Sequence, residues 1–154
     1  MRAVWYDRQG AADEVLVCGE LPTPEVGHGE MRVRLEASGV NPSDTYRRRG
    51  PPAMEYPRVV TNSDGAGVVD QVGPGVSQHW LGKRVWLYNG QRNGRWMGTA
   101  AEYIALSVIP AHGTSIQFHN PSRSQGLYLP WRALLSYART NRGRSTSSPP
   151  YPKP

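Results

Sequence analysis

Two pairs of closely spaced glycines are the first candidates for chemistry in this 154-residue sequence. Gly65-Ala-Gly67 and Gly73-Pro-Gly75 resemble part of the glycine-rich loop that holds the phosphates of a dinucleotide. That loop needs a third glycine and must open a helix, because the helix N-terminus attracts the phosphates. Here Val68-Val69-Asp70 follows the first pair and favours a strand instead. We interpret these glycines as turn and strand residues, not as a phosphate site.

Metal-binding and nucleophilic side chains are few and scattered. The histidines at positions 28, 79, 112 and 119 show no paired ligand spacing. The single cysteine, Cys18, excludes an internal disulfide and any zinc site built on two cysteines. No serine stands in the Gly-x-Ser-x-Gly turn that exposes a nucleophile in many hydrolases. The sequence therefore predicts no metal site.

Basic residues are the third candidate, because they could bind phosphates. Arg47-Arg48-Arg49 occupies three successive positions of an expected helix, and such positions point to different sides of it. We interpret the triplet as a solvated face, not as a phosphate clamp. Both basic and aromatic side chains occur after residue 106, but no RNA-binding motif surrounds them. We expect no nucleic-acid partner.

The net charge of +6 is unevenly distributed along the chain. Residues 1–106 contain all 12 acidic side chains and 12 of the 18 basic ones, so this segment is formally neutral. Residues 107–154 contain six basic side chains, eight serines and half of the 14 prolines. Such a composition buries too little apolar area to offset the loss of chain entropy on folding. We predict one domain over 1–106, followed by a basic tail over 107–154 that is largely disordered.

Short alternating runs separated by Gly and Pro clusters predict a mostly β fold. In Met31–Ala37 the apolar side chains Met31, Val33, Leu35 and Ala37 alternate with charged ones, so they are expected to face the core. Five other segments have strand character, namely 2–6, 15–20, 65–73, 83–88 and 99–106. The spacing of these strands favours a mostly antiparallel, partly open barrel.

One short helix is expected after the Met31–Ala37 strand. Asn41-Pro-Ser-Asp-Thr-Tyr46 has the composition of a turn that leads into a helix, with Ser43 or Asp44 as the capping side chain. Gly50 is expected to end the helix, because glycine is favoured at the residue after the last turn.

Residues 1–106 resemble the N-terminal, GroES-like domain of medium-chain dehydrogenase/reductases. The resemblance is to the zinc-independent NADPH:quinone oxidoreductase branch, which includes the zeta-crystallin-like proteins. It depends on motifs in the family's order and spacing: Met1-Arg-Ala-Val, Ala37-Ser-Gly-Val-Asn-Pro-Ser-Asp-Thr-Tyr-Arg-Arg-Arg-Gly50, Asp64-Gly-Ala-Gly-Val-Val-Asp-Gln-Val-Gly-Pro-Gly-Val76, Gly82-Lys-Arg-Val85 and Gly98-Thr-Ala-Ala-Glu-Tyr103.

The resemblance implies a site at Asn41 and Tyr46. In this branch NADPH reduces a quinone or an activated alkene, and these two residues would lie beside the nicotinamide and the substrate. Tyr46 would offer its phenol to the ring, and Asn41 an amide donor to a developing oxyanion. Asp44 would cap the helix and take no part in the chemistry.

The same resemblance implies that zinc is absent. Zinc-dependent relatives have Cys where Asn41 stands and a His-Glu pair where Ser63 and Asp64 stand, and amide and hydroxyl groups are poor zinc ligands. The family usually has Pro-Gly just before this pair, where this chain has Thr61-Asn62. We expect that loop to differ.

The match to the family ends near Leu106, and no Rossmann domain follows within the 154 residues. Most of the binding energy for NADPH would come from that domain, so we expect little or no independent reductase activity. We hypothesise that residues 107–154 arise from a reading-frame shift; the alternative is a genuine disordered tail.

A different class of function also remains open. The chain would then be a non-catalytic interaction module whose basic tail binds an acidic partner or nucleic acid. No apolar run is long enough to span a membrane, and no secretion signal precedes the first strand. We expect a cytoplasmic protein.

Overall fold

Strands dominate the part of the chain that the structure describes. This computed structural model describes residues 1–91 and 95–108, and beyond them the backbone of two short strands. The described elements are β1 (Arg2–Tyr6), α1 (Ala12–Val15), β2 (Val17–Glu20), β3 (Glu30–Gly39), α2 (Pro42–Arg49), β4 (Val59–Val60), β5 (Asp64–Val72), a 3-10 turn (Gln78–Trp80), β6 (Arg84–Tyr88), β7 (Tyr103–Ser107), β8 (Ser115–Phe118) and β9 (Tyr128–Pro130).

The strands form two open antiparallel sheets. The smaller sheet has the order β2-β1-β4, and the larger has the order β7-β3-β5-β6-β8, with β9 also paired to β3. All described strand pairs are antiparallel, which differs from the parallel sheet of a Rossmann domain. The prediction of a mostly β, partly open architecture is confirmed. The one-turn helix α1, which includes Val15, lies where the sequence predicted the start of a strand.

The long strand β3 follows the predicted alternation up to Glu36 and then changes face. Met31, Val33 and Leu35 are buried, as expected. The pairing with β5 shifts between Leu35 and Ala37, so Glu36 is the extra residue of a bulge. One added residue exchanges the two faces of a strand, and for this reason Ser38 is fully buried while Ala37 is only half-buried. The expectation that Ala37 points into the core is therefore wrong.

Glycine is required where backbones approach closely. A Cβ at Gly67 would overlap the carbonyl oxygen of Arg34 on the neighbouring strand. A Cβ at Gly98 would overlap three successive carbonyl oxygens, those of residues 60 to 62. Backbone atoms cannot move aside as the end of a side chain can, so both positions exclude larger residues.

The core has two apolar parts. The larger lies against the sheet of β3, β5, β6 and β7 and contains Met31, Val33, Leu35, Val69, Val85, Leu87, Met97, Ile104 and Leu106. The smaller lies against β1 and contains Ala3, Val4, Trp5, Val60, Ala100 and Ala101.

The segment before β7 connects the two sheets. Ala101 forms a bridge to Ala3, and the Val4 amide donates to the Ala100 carbonyl at 2.8 Å. Glu102 uses its amide to reach the Arg2 carbonyl at 3.0 Å and its carbonyl to accept from Leu35 at 2.8 Å. Because one segment bonds to both sheets, their relative position is fixed by backbone contacts.

Four ion pairs lie on the described surface. Each joins segments that are distant in sequence, with nitrogen to oxygen distances of 2.7 to 3.0 Å: Arg2–Glu102, Arg32–Asp70, Arg58–Asp7 and Arg84–Glu36. The Arg32–Asp70 pair is mostly buried, with 20% and 24% of its side chains exposed, and the other three are more exposed; exposed pairs contribute about 0 to 1 kcal/mol each. They help to align neighbouring segments more than they stabilise the fold.

Most of the predicted tail lies outside the described residues. Ser115–Phe118 pairs with β6 and Tyr128–Pro130 with β3, so parts of 107–154 are strands. The predicted disorder of the other tail residues lies outside what the structure describes, and the boundary near Leu106 stays a prediction. No helix in the described part of the chain is long and apolar enough to cross a membrane.

Replacing Gly67 by alanine tests the close approach of β3 and β5. We expect G67A to lower the free energy of unfolding by about 1–3 kcal/mol, because the new methyl group must displace backbone. Gly39 is the matched control in the same strand pair, since a Cβ there would make ordinary contacts at 3.5 Å or more. Chemical denaturation of both variants measures the difference. Equal stability of G67A and G39A would contradict the proposed clash.

Candidate functional site

The start of helix α2 is fixed by a side chain that folds back on it. The Asn41 amide N–H donates to Oδ2 of Asp44 at 2.7 Å, which caps the helix in the manner of a capping box. Pro42 occupies the first helical position, where a missing N–H costs nothing. The N-cap residue is Asn41, and Asp44, the third helical residue, supplies the reciprocal half of the capping box; Asp44 thus takes part in capping as predicted, whereas Ser43 is exposed.

The same residues attach the helix to the beginning of β5. Nδ2 of Asn41 donates to Oδ2 of Asp64 at 2.9 Å, and the Ser63 hydroxyl donates to Oδ1 of Asp44 at 2.9 Å. The other Asp64 oxygen accepts from the Asn89 amide at 2.8 Å. Asn41, Asp44, Ser63 and Asp64, which we call the anchor cluster, thus bind one another across 23 residues of sequence.

A chain of buried hydrogen bonds extends from the anchor cluster into the core. Nδ2 of Asn62 donates to the Ser38 hydroxyl at 2.9 Å, and the Ser38 and Thr99 hydroxyls are also 2.9 Å apart. The Thr99 hydroxyl donates to the Asp64 carbonyl at 2.7 Å, and a carbonyl can only accept. The single hydroxyl proton of Thr99 is therefore used, so Ser38 must donate to Thr99. All the donors in this chain point the same way and strengthen one another.

The loop before the anchor cluster has a left-handed residue at Asn62, with a φ of 71°. Asparagine is one of the few non-glycine residues that adopts this conformation readily. The resemblance described above implies Pro-Gly at the positions of Thr61-Asn62, so this loop is expected to differ. Asn62 meets the backbone requirement of a glycine and adds a buried side chain that bonds to Ser38.

The other end of α2 is held by the loop between β1 and α1. Nε2 of Gln9 donates to the carbonyls of Arg47 and Pro52, both at 2.7 Å, and the Gly10 amide donates to the Arg48 carbonyl at 2.9 Å. Gly50 ends the helix as predicted, with its N–H on the Tyr46 carbonyl at 2.9 Å. These contacts satisfy helix carbonyls that would otherwise have no partner.

Arg48 corrects the interpretation of the arginine triplet. Its side chain is buried and donates to the Gly10 carbonyl, whereas Arg47 and Arg49 are exposed. Burial lowers its pKa. The solvated-face interpretation is therefore wrong for Arg48, because that side chain holds the β1–α1 loop against the helix.

Burial also raises the pKa of Asp44. Hydrogen bonds from the Asn41 amide and the Ser63 hydroxyl act in the opposite direction, since they stabilise the carboxylate. The neighbouring Asp64 carboxylate adds to the rise, and Arg47 opposes it. Removal from water is the largest cause, so the folded protein binds a proton at Asp44 more tightly than an exposed aspartate would.

The two predicted site residues differ in their surroundings. Tyr46 is 64% exposed, which shows that it is not a packed core tyrosine. Asn41 is half-buried, and one of its two amide N–H groups is held by Asp64. Within residues 1–91 and 95–108, the structure gives no acceptor for the other N–H. Asn41 immediately precedes helix α2 and Tyr46 lies within it, and this helix is fixed at its two ends.

The anchor cluster does not offer the donors that a zinc ion prefers. Asn41 and Ser63 contribute an amide and a hydroxyl, and their hydrogen bonds are directed at the two carboxylates of the cluster. Within residues 1–91 and 95–108, no three histidine, cysteine or acidic side chains are grouped so that they could hold a metal.

Sequence reasoning missed several residues that position this site. Gln9 donates from its side chain to two backbone carbonyls, which have no signature in the sequence. Asn89 donates from its backbone amide, so its residue type did not point to a role. Asp64 could have been found, because an acidic residue that begins an apolar strand needs a partner.

The sequence is similar to one protein family and to reductases of known activity. The alcohol dehydrogenase GroES-like domain family matches residues 27–113, more than half of the chain. A 2-haloacrylate reductase from a Burkholderia species is 38% identical over 81 residues, which is 51% of this chain and 24% of that protein. The rat quinone oxidoreductase is 31% identical over 93 residues, covering 58% of this chain and 27% of that protein.

Solved structures are similar over a comparable range. Mycobacterial Rv1454c, solved in complex with NADPH, has a TM-score of 0.57 and 33% identity, covering 70% of this chain and 31% of that one. The 154 residues thus span about a quarter to a third of the lengths of these three proteins.

A pair of substitutions at Asp44 tests its charge and its hydrogen bonds separately. We expect D44N to keep both bonds, with its oxygen accepting from Asn41 and its amide donating to the Ser63 hydroxyl. D44A loses both bonds and should be less stable than D44N by about 1–3 kcal/mol at every pH.

The pH dependence tests the carboxyl group itself, which both variants lack. Because the pKa of Asp44 is higher in the folded protein, its contribution to stability is greatest below the unfolded value of about 3.9 and is lost as the pH rises towards the folded value. The stability of D44N relative to wild type should therefore increase above about pH 4 and then level off. Urea denaturation between pH 3 and 8 measures this, and a pH-independent difference would refute the buried-carboxyl assignment.

Proposed function

The chain belongs to the alcohol dehydrogenase GroES-like domain family, and from this premise we propose that it forms the substrate-facing wall of an NADPH-dependent oxidoreductase. The acceptor would be a quinone or an activated alkene. The similarity to a quinone oxidoreductase and to a 2-haloacrylate reductase supports this choice of acceptor.

The observation that carries the proposal is that an exposed phenol on helix α2 and a fixed amide at the helix N-cap belong to one short segment of the chain. Tyr46 has 64% of its surface open to a ligand, while Asn41 is oriented by Asp64. Catalytic groups work best when their geometry is set before the substrate arrives. Helix α2 meets that requirement, because the anchor cluster holds its start and Gln9 holds its end.

Each of the two residues has a distinct role in the proposal. When bound, NADPH supplies the hydride that reduces the acceptor. Tyr46 would hydrogen-bond to the acceptor or pack on its ring. Asn41 would use its remaining amide N–H to stabilise negative charge that develops on an acceptor oxygen, and both residues would contact the nicotinamide.

We also propose that the reaction uses no zinc. The family's zinc-dependent members would need thiolate and imidazole at the positions of Asn41 and Ser63. The hydroxyl and amide present here are engaged with the two carboxylates instead. Charge stabilisation would then depend on hydrogen-bond donors.

The 154 residues alone are proposed to have little or no reductase activity. Neither the sequence nor the described antiparallel sheets provide the Rossmann unit that binds most of NADPH in such enzymes. A cytoplasmic location remains part of the proposal. The alternative of a tail-mediated interaction module depends on side chains that lie outside the described residues.

A direct titration tests the proposal that the 154 residues alone have little or no reductase activity. NADPH added to the 154-residue chain should give no saturable change in nicotinamide fluorescence, and a quinone should cause no protein-dependent oxidation of NADPH. The rat quinone oxidoreductase serves as the positive control. Saturable binding together with quinone-dependent turnover would overturn this part of the proposal.

A chimera tests the role of Tyr46. Residues 1–106 would replace the matching segment of the rat quinone oxidoreductase, and we expect Y46F in this chimera to lower kcat by about tenfold or more. Because Tyr46 is exposed, Y46F should change the free energy of unfolding of the chimera by less than about 0.5 kcal/mol.

The matched control is Y103F, which also removes a phenol hydroxyl. The Tyr103 ring packs under Arg32, with the guanidinium carbon 5.2 Å from the ring centroid. This variant should leave kcat unchanged. If Y46F and Y103F have the same kcat as the parent chimera, Tyr46 has no catalytic role.

A further inference from the structure

A cleft lies between the end of β1, the last turn of α2 and the loop of residues 52–59. Its lining includes Tyr6, Arg47, Tyr56 and Arg95 and does not include Asn41, Tyr46 or Asp64. The cleft is therefore separate from the pair of residues on which the proposed reductase function depends.

Two arginine side chains give this cleft a positive character. Arg95 is half-buried, and one of its nitrogens donates to the Ala105 carbonyl. Burial lowers its pKa, and Glu30 and Tyr56 offset this only in part. Neither Arg95 nor Arg47 forms an ion pair with any acidic side chain in the described residues. A half-buried guanidinium without a counter-ion is unfavourable, and an anion bound beside it would compensate.

The remaining lining is largely aromatic and apolar. Tyr6, the last residue of β1, is buried, and Tyr56 is 39% exposed. Met54 and Val59 add apolar surface, and Glu55 is the one acidic side chain in the lining. Glu55 is exposed and so remains well solvated, which limits its repulsion of an anion.

We propose that this cleft binds a small aromatic carboxylate. The guanidinium group matches a carboxylate in plane and can donate two parallel hydrogen bonds to it. An aromatic body would pack against the tyrosine and methionine side chains, which gain more from a planar apolar group than from water. An inorganic anion would use the arginines but leave this apolar surface uncovered.

Benzoate and benzamide form a matched pair of probes, because they share shape but differ in charge. In ¹⁵N-edited NMR spectra of the full 154-residue chain, benzoate should cause saturable shifts of amide signals around Tyr6, Gln9 and Val59. Benzamide at the same concentrations should cause much smaller shifts. Inorganic phosphate should bind at least about tenfold more weakly than benzoate.

Substitutions assign the binding to the arginines. R47Q and R95Q should each weaken benzoate binding by about tenfold, which corresponds to about 1.4 kcal/mol. R49Q is the control, because Arg49 is an exposed residue of the same helix and is not in the lining. R47Q also keeps the test decisive if R95Q fails to fold, since Arg47 is exposed.

The possible outcomes separate clearly. Benzoate shifts that are scattered over the surface, or that R47Q and R49Q reduce equally, would overturn the proposal. Equal affinity for benzoate and phosphate would overturn the aromatic part of it, and equal affinity for benzoate and benzamide would overturn the role of charge. None of these readouts depends on NADPH or on turnover, so the result is independent of the proposed reductase function.

Discussion

The attachment of helix α2 to the start of β5 is the constraint on which the candidate site depends. Two side chains at the helix start bind two side chains at the strand start, and the Asp64 carbonyl also receives the buried chain from Asn62 through Ser38 and Thr99. Because the Ser38 and Thr99 hydroxyl protons are both used in that chain, moving any one member leaves a buried polar group without a partner. The position of Tyr46 in space is therefore set by residues that never touch it.

This arrangement places two carboxylates close together in a partly buried position, which is unfavourable for both. The protein offsets that cost with neutral donors: an amide, a hydroxyl and two backbone N–H groups point at Asp44 and Asp64. A metal ion would offset the same charge in a different way. The zinc-independent chemistry that we propose is consistent with donors that already perform this task within the protein.

Local sequence pattern was enough to predict most of the strands, helix α2 and its end at Gly50, because alternation and glycine act over a few positions. It failed where distant segments meet. The bulge at Glu36 exchanged the places of Ala37 and Ser38, and only the pairing with β5 determines that shift. Arg48 was predicted to be a surface residue because its partner is the backbone carbonyl of Gly10. Every residue has such a carbonyl, so the sequence does not indicate which one an arginine will contact. Resemblance to a family pointed to Asn41 and Tyr46, but the attachment of Asn41 to Asp64 needed the structure.

The surface ion pairs between distant segments bear on how copies of the protein behave towards one another in solution. Residues 1–106 contain equal numbers of acidic and basic side chains, and four of each neutralise one another locally. Such a surface has little long-range field, so copies of this unit repel each other weakly near neutral pH. The six cations after residue 106 supply the remaining repulsion. Colloidal stability would then come from the part of the chain that contributes least to the candidate site.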